Sequence, residues 1–347
     1  MFSKLAGNEE VKRTLLRQIA ADRVPNSMIF AGDEGVGKRQ FAFELARTLL
    51  CPDSRDHGAC GVCVVCRRSG AIELPSRDDK NKDEFKKVIF GGHTDVGTVS
   101  AFRRLILVDA IRDLERHANF RPHEGKSRFF IVDDAHTMND AASNALLKTL
   151  EEPASTSYIF LITSRADSLL PTIRSRCQML RFAPVETETV EKYLIEERAF
   201  SHDEARLAAS LSRGSIGRAV SINVEQFRAQ RDRMLSVIVS AIETGDRAAM
   251  FRVAEEMNDA KNKDKFEENL SILESLIHDV WSLRITGDAS RLVNTDLAER
   301  LTRLASEVRH SDLPGWLDEI ATVRDNLTVN INRKIAADSL FVLMAGA

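Results

Sequence analysis

No stretch of this 347-residue chain approaches the run of about 20 apolar residues that a membrane-spanning helix needs. Its start, Met1 to Glu10, is polar and acidic where an export signal would be apolar. The two absences predict a cytoplasmic protein with no membrane partner. Excess positive charge is also missing, since the net charge is −3, which excludes an all-over basic nucleic-acid binder. Any DNA contact has to be patchy. Repeats of fixed period and low-complexity tracts are absent, so a repeat array is excluded. Cysteine is scarce, 5 in all, yet four of them (Cys51, Cys60, Cys63 and Cys66) crowd one short segment. In a chain without an export signal, that crowding favours a metal site over disulfides. An apolar fraction of 43% over this length suffices for two or three domains.

What is present begins with Gly32-Asp33-Glu34-Gly35-Val36-Gly37-Lys38-Arg39, which fits the phosphate-loop pattern G-x-x-x-x-G-K up to its last position. There the pattern asks for Ser or Thr, and the chain has Arg39. An apolar run from Ser27 to Ala31 precedes the loop and an amphipathic run from Gln40 to Leu50 follows it, giving the strand, loop and helix of a phosphate site. Glycines at 32, 35 and 37 let backbone N–H groups close around phosphates, and Lys38 reaches the terminal ones. ATP or ADP is the ligand this predicts. The hydroxyl that would hold Mg²⁺ is missing, so weak or absent hydrolysis is expected.

The cysteines follow as C-x8-C-x2-C-x2-C, a spacing that closes a tetrahedral structural Zn²⁺ site with no open position, the alternative being free or redox-active thiols. Such a site serves either as a clip or as a partner surface. The segment Leu74 to Lys87 is charged and aperiodic and reads as a solvated loop. Helical spacing returns at Leu107, Ile111 and Leu114, ending at Arg121-Pro122. The run Phe129 to Val132 reads as a buried strand delivering Asp133 and Asp134, with Asp133 a metal-holding acid and Asp134 a water-polarising one, a methylene shorter than Glu. A helix from Asn139 to Glu152 stops at Pro153, and Tyr158 to Thr163 is another strand. At its end, Thr163 either faces phosphates or caps the strand. Arg174-Ser175-Arg176-Cys177 reads as a turn whose arginines are either solvent charge or a guanidinium for a phosphate on another subunit.

Beyond Pro184 the strands stop. Three short helices are expected, the third opened by Gly214-Ser215-Ile216-Gly217-Arg218. The pattern then stays helical to Leu343, broken at Gly245, Gly287 and Leu313-Pro314-Gly315.

Together the loop, the cysteines, Asp-Asp-Ala-His, the block Asn144 to Pro153 and Ser175-Arg176-Cys177 resemble the bacterial DNA polymerase III clamp-loader subunits of the AAA+ superfamily. The likeness covers the whole chain. It implies an α/β fold, a RecA-like parallel sheet carrying a zinc module, then a helical lid and an all-α collar. The implied bounds are 1–183 with the module at 51–66, 184–224 and 225–347. By resemblance Arg176 becomes an arginine finger for a neighbour's ATP site, Thr163 the first sensor and Arg218 the second. The departures at Arg39 and Asp134, and the end of the chain soon after the collar region, fit a non-motor member better than a gamma/tau-like motor. The partners implied are gamma/tau and delta subunits in a hetero-pentamer, a sliding clamp, and primed DNA through the complex.

Overall fold

The computed structural model describes residues 2–54, 58–69, 81–258, 265–328 and 333–346. They form two compact units, Met1–Ser221 and Ile222–Ala347.

The first unit is built on a six-stranded sheet. Its strands are β1 (Ser27–Ala31), β2 (Ile89–Phe90), β3 (Val96–Val99), β4 (Arg128–Val132), β5 (Ser157–Thr163) and β6 (Gln178–Arg181), in the spatial order β2-β3-β4-β5-β1-β6. All neighbours are parallel except the β2–β3 pair. Because side chains alternate along a strand, Met28 and Phe30 face one layer while Ile29 and Ala31 face the other. On the first face pack α1 (Glu9–Ala20) and α2 (Lys38–Leu50), through Leu15, Phe41 and Leu45. On the second pack α4 (Val108–Ala118), α5 (Asp140–Glu151) and α6 (Pro171–Arg176), through Ile111, Leu146 and Ile173. The short α3 (Val64–Ser69) packs against α2. Three more helices close the unit: α7 (Thr187–Arg198), α8 (His202–Ser212) and α9 (Ile216–Ser221). The α/β fold with a RecA-like parallel sheet is thus the one expected.

The sheet has two working edges. Phosphate loop, Asp133 and Thr163 all sit where β1, β4 and β5 end, the carboxyl edge at which α/β sheets bind ligands. The opposite, amino edge receives the chain as it enters each of the five parallel strands.

Several expectations change. The strand β3 escapes the sequence pattern because Gly97 interrupts a short apolar run, yet Gly97 is the residue at which an added Cβ would strike Val88 and Phe90. Arg174 to Arg176 are not a turn but the end of α6, which Pro171 opens with a ring suited to a first helical position. Residues 74–80 of the charged segment lie outside the described ones. In the rest of that segment Phe85 is buried against the Phe102 ring, so it is not wholly solvated.

The second unit is helical: α10 (Val224–Val239), continued by a π turn Ser240–Thr244, then α11 (Arg247–Asn258), α12 (Phe266–Thr286), α13 (Ala298–Glu307), α14 (Asp312–Thr328) and α15 (Arg333–Met344). Gly245 and Gly287 do end helices, both with positive φ. Leu313-Pro314-Gly315 does not, since it lies in the first turn of α14, where proline's missing N–H costs nothing. Its core centres on α12, whose Leu270, Leu273, Leu276, Ile277 and Val280 are fully buried. No helix among the described residues is long and apolar enough to cross a membrane.

Candidate nucleotide site and arginine edge

The loop is shaped as its sequence requires. Gly32, Gly35 and Gly37 all take positive φ, and at Gly35 a side chain would overlap Ser215 Oγ. Helix α2 starts at Lys38 with Gly37 as its N-cap and no side-chain cap, so its first N–H groups point at the loop mouth. Among the described residues the backbone N–H groups of Asp33, Glu34, Gly35, Gly37 and Lys38 donate no hydrogen bond, and only Val36 closes the turn across Glu34 and Gly35. Lys38 itself is buried, and its ammonium donates to the carbonyls of Gly32 and Asp33, both at 2.6 Å. Burial holds its pKa below the ordinary lysine value although Asp133, Glu34 and Asp33 pull the other way.

Arg39 answers a question the sequence leaves open. Its Nη1 donates to Asp133 Oδ2 at 3.1 Å, with 45% of the Arg39 side chain and 11% of the Asp133 side chain exposed. The guanidinium therefore occupies the carboxylate that should hold a metal. Mg²⁺ does not fit this arrangement: the hydroxyl ligand is gone and a cation already sits on the acid. Asp134 follows with a left-handed φ of 52°. Thr163 ends β5 fully buried, accepting from the Arg165 N–H at 3.0 Å with its Oγ1 3.3 Å from His136 Nδ1, contacts that cap the strand end. From α9, Gly217 donates its N–H to the Gly35 carbonyl at 2.8 Å, and Ser215 Oγ accepts from the Arg218 N–H at 3.2 Å. Arg218 is thereby tethered beside the loop with its side chain exposed. Ser215 and Gly217 went unread in the sequence as loop partners, although the Gly-x-x-Gly spacing of 214 to 217 signals a close backbone approach.

Arg176 lies elsewhere. It precedes β6, whose Gln178 is level with Met28, so roughly 13 Å of strand separates that level from the loop at Gly32. At this amino edge Arg176 Nη2 pairs with Glu151 Oε1 at 2.7 Å, and Nη1 donates to the Thr172 carbonyl at 2.9 Å. About half of Glu151 is exposed. Its role was hidden because the acid sits in the same Leu-Glu-Glu-Pro block that marks the helix end.

The cysteines form the third site. Sγ atoms of Cys51, Cys60, Cys63 and Cys66 all lie within 4.8 Å of one another, with Cys51–Cys63 at 3.9 Å and Cys60–Cys66 at 3.8 Å. Sulfurs 2.3 Å from a tetrahedral ion are about 3.8 Å apart, so the four can hold a metal ion. The N–H groups of Cys60, Cys63 and Cys66 donate to Cys51, Cys60 and Cys63 sulfurs, each at 3.4 Å, as thiolate ligands require. Backbone N–H donors from Val62 and Cys63 bring Cys60 down to about 6, while burial pushes Cys66 up to about 12. Burial likewise raises the fifth cysteine, Cys177, to about 12, which makes it an inert packing residue.

Residues 7–186 match the family model described as DNA polymerase III, delta subunit, and residues 225–341 the one described as DNA polymerase III, delta subunit, C terminal. The chain is 27% identical to the DNA polymerase III subunit delta' of Escherichia coli (strain K12), over 94% of this chain and 91% of that protein. It is 26% identical to the delta' subunit of Bacillus subtilis (strain 168), over 96% and 95% respectively. Identity to the tau subunit of Salmonella typhimurium is also 26%, over 97% of this chain but only 52% of that protein.

Proposed function

Because the chain belongs to the DNA polymerase III delta-subunit family and is a homologue of its delta-prime subunits, we propose that it serves as a non-motor clamp-loader subunit. In that role it helps ATP-bound gamma/tau subunits, with a delta subunit, to open a sliding clamp and place it on primed DNA in the cytoplasm. Residues 1–183, 184–224 and 225–347 act as nucleotide-binding domain, lid and collar of a hetero-pentamer. Arg176 is the finger that reaches a neighbour's ATP, with Zn²⁺ in the four-cysteine site as a structural clip.

The observation that carries this reading is the position of Arg176 at the amino edge, a strand's length from its own loop. A guanidinium there has no use for its own chain's phosphates, whereas a subunit docked against that edge presents a triphosphate to it. At the carboxyl edge, Arg39 on Asp133 supports weak or absent hydrolysis by the chain itself.

The test has two arms. The full chain mixed with gamma/tau and delta subunits should enter one complex containing one copy of it, seen by native mass spectrometry. Alone it should release no phosphate from ATP above the rate of its Lys38→Ala variant. Phosphate release that vanishes with Lys38→Ala would instead favour a gamma/tau-like motor. Metal analysis should find one zinc per chain.

A further inference from the structure

We propose that the phosphate loop of this chain binds the phosphates of a nucleotide without a divalent metal, with the Arg39 guanidinium as the resident cation in the metal's place. The inference does not depend on the chain's place in an assembly.

Three observations converge on the loop. Its backbone N–H groups at Asp33, Glu34, Gly35, Gly37 and Lys38 have no acceptor among the described residues, although the loop is fully formed. Such a row of unpaired donors at a helix N-terminus is a cradle for phosphate oxygens. Next, Lys38 is buried and spends two of its three N–H donors on the Gly32 and Asp33 carbonyls, which leaves the third for a ligand. Burial has also lowered its pKa, a cost that a bound anion relieves. Third, Arg39 Nη1 is already bonded to Asp133 at 3.1 Å, and 45% of its side chain still faces solvent, so donors remain for an incoming oxygen. Gly217 braces the loop at the Gly35 carbonyl, so the cradle holds its form without ligand.

Charge then sets the preference. A site with Mg²⁺, Lys and Asp carries one more positive charge than Lys38, Arg39 and Asp133 together. Without a metal to bridge the outer phosphates, the last phosphate of a triphosphate loses an anchor. The diphosphate is the better match, and neither nucleotide is hydrolysed.

The test is calorimetric titration of the full-length chain with ADP, ATP and inorganic pyrophosphate, first in excess EDTA and then in excess magnesium chloride. ADP affinity should agree within about threefold between the two conditions and exceed that for ATP. Pyrophosphate should compete with ADP, and Lys38→Ala should abolish binding while circular dichroism stays unchanged. Arg39→Thr, which restores the hydroxyl, should make binding magnesium-dependent by about tenfold or more. ADP binding by the unaltered chain that is lost in EDTA overturns the proposal, and so does the absence of binding in both conditions. Neither result needs a variant that folds.

Discussion

Each edge of the sheet carries an arginine on a carboxylate, and the two pairs behave differently. At the carboxyl edge Arg39 and Asp133 join residues far apart in sequence, and the acid is nearly buried. At the amino edge Arg176 and Glu151 meet at 2.7 Å, but about half of the acid is in water. Distance alone would rank the second pair as the stronger. Burial reverses the order, because an exposed pair gains little over hydration while a buried acid depends on its partner. Arg39 is thus held on a buried acid of its own chain, whereas the Arg176 pair is the weaker of the two, as the proposed finger role would require.

The deepest pair marks the scale against which both are judged. Asp95, fully buried where the chain enters β3, accepts N–H groups from His123, Glu124 and Gly125 at 2.7 to 2.9 Å and faces Arg128 Nε at 3.6 Å. Replacing Asp95 by Ala leaves Arg128 buried and uncompensated and should cost about 3 to 5 kcal/mol in urea unfolding, the largest effect expected. Burial alone would raise the Asp95 pKa, yet the three N–H donors and Arg128 outweigh it and hold the carboxyl below its ordinary value. Its stabilisation is therefore complete above the ordinary aspartate value and fades as pH falls through the lowered one. Asp95→Asn should flatten that acid limb, and an unchanged limb would show that another acid controls it.

Next in size is Asp133→Asn, which deprives Arg39 of a charged partner at a half-exposed site. A loss of about 1 kcal/mol is expected, and Arg39→Ala combined with it should add little, as a double-mutant cycle would reveal. Full additivity would mean the pair does not interact. Smallest should be Glu151→Gln, within about 0.5 kcal/mol of the unaltered chain in thermal unfolding. A cost as large as that at Asp133 would erase the difference between the edges.

Much of the carboxyl edge was legible from sequence, since the glycine spacing, Lys38, the Phe129 to Val132 run and Thr163 follow local rules that the sheet then gathers. The partnership of Arg39 with Asp133 was not, because it joins a loop and a strand end 94 residues apart. Nor was the grip of Ser215 and Gly217 on Gly35, a contact made by backbone and a hydroxyl without apolar periodicity. The cysteine site was readable because four soft ligands at two-residue intervals have few other uses. At the amino edge, the sequence left Arg176 open between solvent charge and a neighbour's ligand, and its helix and its partner Glu151 emerged only with the fold. The strand β3 stayed hidden for a related reason, its Gly97 being chosen by close packing with Val88 and Phe90 instead of strand propensity.

The most direct measurement compares two variants of this one chain in the assembled complex, through the DNA-stimulated ATPase. With Arg176→Ala the rate should fall, since the proposed finger would be worth about 10³ at the one neighbouring site it serves. With Lys38→Ala it should stay within about twofold, because the pocket proposed to hydrolyse nothing would have no turnover to lose. An unchanged rate with Arg176→Ala, or a collapse with Lys38→Ala, would contradict the division of labour between the two edges.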